Sequence, residues 1–269
     1  MEMTITDADF LRLVQFIQKS YGIDLSKKRQ LIVGRLSYTL QTMGYTSFTA
    51  FIDHLLSTRN ANDIELVINK LTTNYTFFMR EEAHFNFFKR TILPEIVQKH
   101  KKDRSLSIWS AGCSSGEEPY TIAMCIRDYL GPQAATWDAR VLATDISQRA
   151  LTLAKEGVYE LPETMPPEWK RRYFQAEKEP NRFRVTQEIK DQVQFRTFNL
   201  MDPIRFMTKF DVIFCRNVMI YFDQPTKDAL VRRFYDASSP GAYLLIGHSE
   251  TLNRDIGYQF LAPATFKKP

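Results

Sequence analysis

Apolar residues recur at helical spacing through the first seventy positions of the chain. Phe10, Leu13, Val14, Phe16 and Ile17 fall on one stripe, Asp7 stands where a cap belongs, and Gly22 ends the segment. The spacing predicts a second helix from about Ser26 to Met43, with Leu31, Ile32, Leu36 and Leu40 on one side and Gly44 after its end. Ser47 opens a third helix through Phe48, Phe51, Ile52, Leu55 and Leu56. A fourth carries Ile64, Leu66, Val67, Ile68 and Leu71. Residues 1–75 therefore read as an all-α N-terminal domain.

The period changes farther along. Residues 72–90 read either as a polar and aromatic junction suited to a ligand or as a capping segment followed by an ordinary helix from Glu81 to Gln98. Leu106, Ile108 and Trp109 then make a short buried strand, followed by a small-residue turn, Ser110 to Gly116, and a helix to Leu130. Arg140 to Thr144 is a second strand ending at Asp145, and a helix follows to Gly157. Phe210 to Cys215 is a near-continuous apolar run of the parallel-strand type. A helix from Gln224 to Ala237, a strand from Ala242 to Ile246 and an antiparallel edge strand from Phe260 to Phe266 complete the pattern. Strands alternating with helices predict an α/β domain over 76–269. Prolines at 162, 166, 167 and 180 interrupt it, with a short helix from Trp169 to Phe174 and a small β-hairpin subdomain inserted at about 173–193.

Composition narrows the class. A chain of 269 residues, 44% apolar and 25% charged, is a soluble globular protein of one large or two small domains. No apolar run approaches the roughly 20 residues that span a bilayer, and the acidic start, Met1 to Asp9, is not a secretory signal. A cytoplasmic monomer that does not insert into membranes is expected. The odd set Cys113, Cys125 and Cys215 reads as buried free thiols. His54, His84, His100 and His248 are scattered, so no metal site is expected. A net charge of +5 is mild and does not argue for nucleic acid. Lys27, Lys28, Arg29 and Arg35 cluster on or near one side of the second helix, either as a solvated face or as a partner contact.

The first strand–turn–helix unit carries candidate chemistry. Its glycines follow Gly-x-x-x-Gly, which does not meet the dinucleotide fingerprint. Glu117 and Glu118 open the helix, so a pyrophosphate there would meet two carboxylates. S-adenosylmethionine (SAM), with a ribose diol, an amino group and a sulfonium, suits the turn better. An ordinary strand-to-helix turn with a solvated glutamate pair is the competing reading of this stretch alone. Asp145, just past the second strand, is placed to accept hydrogen bonds from a ribose diol. Residues 73–80, 112–118, 145 and 199–221 are polar patches at strand ends or at the domain junction. Ligands bind outside the carboxyl ends of strands in open α/β sheets, and that convergence favours SAM.

Four long motifs then carry a resemblance. Thr73-Asn74-Tyr75-Thr76-Phe77-Phe78-Met79-Arg80-Glu81 is the first, and Trp109 through Tyr120 (WSAGCSSGEEPY) is the second. Ala143-Thr144-Asp145-Ile146 and Cys215 through Phe222 (CRNVMIYF) follow in order, with Gly247-His248-Ser249-Glu250 after them. Together they resemble the CheR-type chemotaxis receptor methyltransferases over nearly the whole chain. The resemblance implies a helical N-terminal domain that recognises the receptor, followed by a Rossmann-like SAM-dependent methyltransferase domain bearing a hairpin subdomain. It implies methyl transfer from SAM to glutamate side chains on the cytoplasmic helical domain of chemoreceptors. The products would be glutamate methyl esters and S-adenosylhomocysteine.

Carried onto matching positions, Asn74, Thr76, Arg80, Glu118, Asp145, Asn199, Leu200, Arg216 and Asn217 would line the cofactor site. Arg80 and Tyr221 would lie beside the transferred methyl. A glutamate-bearing helical substrate, which the resemblance implies, would find a complementary positive face in Lys27, Lys28, Arg29 and Arg35. Met79 departs from the shorter aromatic-to-Arg step of many members, which makes the place of Arg80 depend on register. The hairpin contains no glycine from Tyr173 to Val193, and its turn is charged and carries Pro180. Family members whose hairpin captures a receptor C-terminal peptide tend to have glycines there. Edge strands use proline and charge to discourage added strands, so no such tether is expected here.

The chemistry is consistent with the residues. A glutamate is already an anion at neutral pH, with a reference pKa of about 4.3, so no general base is required. A dry, preorganised site that aligns oxygen, methyl and sulfur would promote the displacement. Methylation of another signalling protein's carboxylate and a non-catalytic SAM-binding module are the alternatives. A nucleotide-dependent oxidoreductase is disfavoured by the missing fingerprint and the glutamate pair.

Overall fold

Thr6 sets the start of α1 (Asp7–Tyr21): its hydroxyl oxygen accepts the Asp9 N–H at 3.1 Å and the hydroxyl donates to the Asp9 carboxylate at 2.8 Å. Asp9 is buried, and it also accepts from the Thr49 hydroxyl (2.6 Å) and Arg12 (3.1 Å). The Thr49 hydrogen bond leads the influences that hold this carboxyl below its ordinary range, against the effect of burial. One carboxylate thus ties α1 to α3 (Phe48–Thr58). Between them, α2 (Arg29–Thr42) is shorter than predicted at both ends. Asp24 accepts the Ser26 N–H and Leu25 O accepts the Lys28 N–H, so residues 25–28 form a turn. With α4 (Ala61–Leu71), these helices bury Leu13, Ile17, Ile32, Leu36, Phe51, Leu55 and Val67.

This computed structural model describes residues 3–73 and 75–269, apart from the Arg254 side chain. The chain forms two compact units. The helical one runs to the 73–75 junction and adds Tyr221–Lys227; the other comprises Tyr75–Ile220 and Asp228–Pro269. Hydrogen bonds explain the added segment, which the sequence pattern assigns to the second domain. Ile23 and Phe222 form an antiparallel bridge, Asp24 N–H donates to Tyr221 O (2.8 Å) and Gln18 donates to Asp223 (2.8 Å).

The second unit opens with α5 (Glu82–Phe87), a π-helical turn (Phe88–Ile92) and α6 (Leu93–Lys99). The helical reading of 81–98 holds with an interruption, because Pro94 has no N–H to give the carbonyl four residues back. Its strands are β1 (Ile108–Ala111), β2 (Val141–Asp145), β3 (Val158–Glu160), β4 (Phe174–Ala176), β5 (Arg182–Val185), β6 (Val193–Thr197), β7 (Phe210–Cys215), β8 (Ser238–Ile246), β9 (Gln259–Ala262) and β10 (Thr265–Lys267). Helices α7 (Glu117–Leu130), α8 (Gln148–Glu156), α9 (Pro167–Tyr173), α10 (Gln187–Lys190) and α11 (Gln224–Ala237) lie between them in sequence.

A seven-stranded sheet has the order β6-β2-β1-β7-β8-β10-β9, parallel except at β10 and β9. Where one edge strand is predicted at 260–266, the chain makes a hairpin, turning at Pro263-Ala264 with Ala264 at a φ of 55°. Alternate side chains face opposite ways. Ile108, Val212, Phe214 and Tyr243 join the α5–α7 side of the core. Trp109 turns the other way into a ring cluster with Phe198, Phe206, Phe210 and Phe234 of α11. The inserted subdomain is a three-stranded sheet, β3-β5-β4, not a hairpin alone. The three-residue β3 is too short to show a period. Among the described residues no helix is long and apolar enough to cross a membrane.

The strand order reverses between β1 and β7: the strands are laid outward through β2 and β6, then the chain returns to add β7, parallel, on the far side of β1. The crevice at the carboxyl ends of β1 and β7 is therefore the topological switch point. The opposite end of β7 is fixed by Asp211, whose carboxylate accepts from Ser107 N–H (3.1 Å), Lys99 (3.2 Å) and His100 Nε2 (2.9 Å). Burial works against charge on the His100 ring, but the hydrogen-bonded Asp103 and Asp211 outweigh it and raise its pKa. A raised histidine pKa contributes stability that is complete below the unfolded value of about 6.5 and is lost as pH rises through the folded value. Urea midpoints measured from pH 6 to 9 should fall for the native chain. An H100Q variant should start lower and lack that slope; equal slopes would refute the contribution.

Candidate active site

Arg216 is the centre of the crevice. It follows β7, is buried, and commits four N–H donors to protein acceptors. Nε donates to His84 Nδ1 (3.0 Å) and Nη1 to Glu118 Oε2 (2.9 Å); Nη2 donates to Glu81 Oε2 (3.1 Å) and to the Arg80 carbonyl. Its guanidinium also lies 5.1 Å from the centre of the Phe85 ring. Glu118 accepts a second bond from the buried Ser110 hydroxyl of β1 (2.7 Å). The segments at 80–84, 110–118 and 216 are thereby tied to one cation.

Glu81 is the second tie. It accepts from Asn217 Nδ2 and from His248 N–H, both at 3.2 Å, as well as from Arg216. Burial opposes its charge, yet His84, 3.3 Å away, together with Arg216, Asn217 and the His248 N–H, outweighs burial and holds its carboxyl well below the usual range. The backbone around it is strained. Met79, Glu81, Ser114 and Asn217, four of the eight non-glycine residues with positive φ among the described residues, lie in or next to these segments. Such residues cost of order 1–3 kcal/mol each and persist only where surrounding contacts over-determine them. Met79 takes the departure from the shorter step into a left-handed residue at φ 61°. Arg80 then stands between two such residues, with its carbonyl on Arg216 and its guanidinium on the Tyr75 carbonyl.

The glycine of the small-residue turn also has a packing role. Gly112 has φ +85°, and a Cβ there would lie 2.4 Å from a Val218 methyl, so its missing side chain admits the loop after β7. Glu117 is not a solvated partner of Glu118: it accepts from Ser115 Oγ (2.8 Å), and burial pushes its carboxyl up. Asp145 stands at the end of β2, its plane fixed by the N–H groups of Ser114 (2.8 Å) and Ser147 (2.9 Å). Asn199 Oδ1 accepts from Met201 N–H (3.0 Å), and Leu200 is buried beside it in sequence.

Two family models cover the chain almost end to end. Residues 74–265 match "CheR methyltransferase, SAM binding domain", and residues 8–72 match "CheR methyltransferase, all-alpha domain". The chain belongs to the CheR methyltransferase family. It is 42% identical to a chemotaxis protein methyltransferase of Borreliella burgdorferi, over 100% of this chain and 96% of that one. It is 37% identical to chemotaxis protein methyltransferase 1 of Pseudomonas aeruginosa, over 93% of both. The Escherichia coli chemotaxis protein methyltransferase is also 37% identical, over 93% of this chain and 87% of its own.

The CheR fold accounts for the site residues unevenly. Arg80, Glu118, Arg216 and Asn217 come together in one hydrogen-bonded cluster, while Asp145 and Asn199 stand in the loops after β2 and β6. Thr76 is half-buried, and Asn74 lies outside the described residues. Tyr221 belongs to the helical unit, where its hydroxyl accepts from Thr73 N–H (2.9 Å) and donates to Thr73 O (3.1 Å). The basic cluster divides. Arg29 pairs with Asp7, donates to Ile5 O (3.1 Å) and lies over the Phe10 ring, and Arg35 donates to the carbonyls of Lys70 (3.1 Å) and Thr72 (3.3 Å). Lys27 and Lys28 are exposed in the turn before α2.

The sequence reading quotes Glu81, Ser110 and Glu250 within its motifs and names His84, but gives none of them a place in the site. Their signal is a polar residue inside an apolar run or at its end. It also treats the histidines as scattered, whereas the rings of His84 and His248 meet at 4.5 Å. Ligand-type atoms of Glu81, His84 and His248 lie within 4.8 Å of one another. Arg216 argues against a cation there: it brings a fixed positive charge, and its donation to His84 Nδ1 leaves the ring proton on Nε2. The three cysteines are free and buried. Burial, followed by the Asp145 and Glu118 charges, pushes the Cys113 thiol well up, away from nucleophilic use.

This set of residues fits SAM better than a polyphosphate. The guanidinium inside the cluster is already committed to protein acceptors, and carboxylates and amides surround it.

Proposed function

We propose that this CheR family member transfers the methyl of SAM to glutamate side chains on the cytoplasmic helical domain of chemoreceptors. Arg80 carries this reading. It is a half-buried cation held between two strained residues, in a site whose other guanidinium is tied to protein carboxylates. Bound SAM supplies a methyl on a sulfonium, and the carboxylate product is a methyl ester with S-adenosylhomocysteine as by-product. Asp145 would hold the ribose diol, with Asn74, Thr76, Glu118, Asn199, Leu200, Arg216 and Asn217 around the cofactor. Arg80 would orient the incoming carboxylate and Tyr221 would border the methyl. No general base is needed, because the acceptor is already ionised.

The helical domain, residues 1–75, would recognise the receptor; of its basic cluster Lys27, Lys28 and Arg35 are exposed, and the Arg35 guanidinium is held on the carbonyls of Lys70 and Thr72. The test is incubation of the protein with labelled SAM and receptor-bearing membranes, scored as base-labile methyl esters. Reversing Lys27 and Lys28 to glutamate should raise KM for receptor several-fold and leave SAM affinity alone. The hairpin turn is held internally by Glu177 N–H to Arg182 O (2.9 Å) and by the Arg184–Glu177 ion pair. A receptor shortened at its C-terminus should therefore be methylated as fast as the full one. No base-labile label on any receptor would reject the function.

Asp145→Ala should weaken SAM binding by roughly 1–3 kcal/mol, through loss of charge-assisted hydrogen bonds. Unchanged affinity by calorimetry would remove Asp145 from the site.

A further inference from the structure

We propose that Glu250 is a positioning residue for the cofactor: its carboxylate clamps the loop after β7 in the shape that presents Asn217. The proposal rests on the reading that this loop lines the SAM site.

Glu250 is buried and follows β8 through a tight turn, with its own N–H on Gly247 O (2.9 Å). Its carboxylate faces back across the sheet end. Oε2 accepts from Gly247 N–H (2.6 Å) and Asn217 N–H (3.1 Å), and Oε1 accepts from Ile220 N–H (3.0 Å). One side chain therefore satisfies backbone donors at both ends of the segment 217–220 and joins it to the strand beside β7. Backbone N–H groups buried without such a partner are costly.

The clamp operates on a strained loop. Asn217 has φ 59°, a conformation that a non-glycine residue keeps only when held. Asn217 comes so close to β8 that a Cβ on Gly247 would lie 2.5 Å from its Nδ2, 2.8 Å from its backbone N and 3.0 Å from Glu250 Oε2. Gly247 and Glu250 are thus two halves of one seat for Asn217. Glu81 holds the Asn217 side chain from the other side. The Glu250 carboxylate is held by the backbone N–H groups of Gly247, Asn217 and Ile220.

Glu250→Gln tests the clamp. It keeps the size but puts an NH2 donor against N–H donors, so the loop must shift. Expected is a KM for SAM at least ten-fold higher, with kcat at saturating SAM within about three-fold of the native value. Asp211→Asn is the comparator, since it loosens a buried carboxylate at the other end of β7. It should lower Tm and leave KM for SAM unchanged. If Glu250→Gln does not fold, Glu250→Asp keeps the charge but is a methylene short of bridging Asn217 and Ile220, and the same rise in KM is expected. A native protein that binds no S-adenosylhomocysteine overturns the site reading and this inference with it. A native protein that binds it, beside Glu250 variants whose KM is unmoved or moves no more than that of Asp211→Asn, overturns the inference alone.

Discussion

Exchanging Arg216 for methionine is expected to destabilise the α/β unit by about 3–5 kcal/mol, the usual cost of removing one partner from a buried ion pair. The reason lies in what remains. Glu81 and Glu118 would keep their charges beside each other with side chains only 15% and 12% exposed, and without the guanidinium between them. His84 and the Arg80 carbonyl would lose their donors as well. Lysine is no substitute, because a point charge cannot reach the acceptors at 80–84 and at Glu118 at once. Neutralising the two carboxylates along with Arg216, as Glu81→Gln and Glu118→Gln, should recover much of the loss, since a buried ion network replaced as a whole is far less costly than one broken. Urea unfolding of the single and triple variants measures this. A single variant within about 1 kcal/mol of the native chain would show that Arg216 is not the hub described above.

Most of the frame was legible because it follows from period. The four N-terminal helices and the strands at 108, 141 and 210 bury one stripe or both faces, and the apolar spacing records that. Two features escaped it for local reasons. The π turn at 88–92 depends on one missing N–H at Pro94, and a hydrophobic stripe hardly registers it. The strand at 158–160 is three residues long, less than two alternations. The site divides along the same line. Asp145 and the glutamate pair could be found because they follow strands, but their partners could not. The sequence has no way to say that Glu118 faces Arg216, 98 residues away, or that Val218 packs where a side chain on Gly112 would lie. Basic residues on one helix look alike in sequence. Only the structure separates Arg29 and Arg35, bound within their own unit, from the exposed lysines.

Arg80→Ala is expected to lower methyl transfer about 100-fold at saturating SAM and receptor, equivalent to about 2.7 kcal/mol in the transition state, while SAM affinity changes less than three-fold. The neighbouring cation, Arg216, has its donors committed to Glu81, Glu118, His84 and a carbonyl, so it is poorly placed to take over. Arg80 has its main chain fixed by Arg216 and its guanidinium resting on one backbone carbonyl. A side chain so held can turn to an entering carboxylate without reorganising the site, which is the condition for preorganised electrostatic stabilisation. The acceptor loses its charge as the ester forms, so Arg80 must orient the anion without binding it too tightly. Lysine at this position should therefore give an intermediate rate: it keeps the charge and loses the planar fork that aligns a carboxylate. Strain supports the same assignment, because Met79 and Glu81 adopt left-handed backbone on either side of Arg80. Removal of the Arg80 side chain leaves that backbone tied through Arg216, so Tm should fall little. A variant that transfers methyl at the native rate with both substrates saturating would remove Arg80 from the reaction, and one that instead unfolds would make it part of the frame.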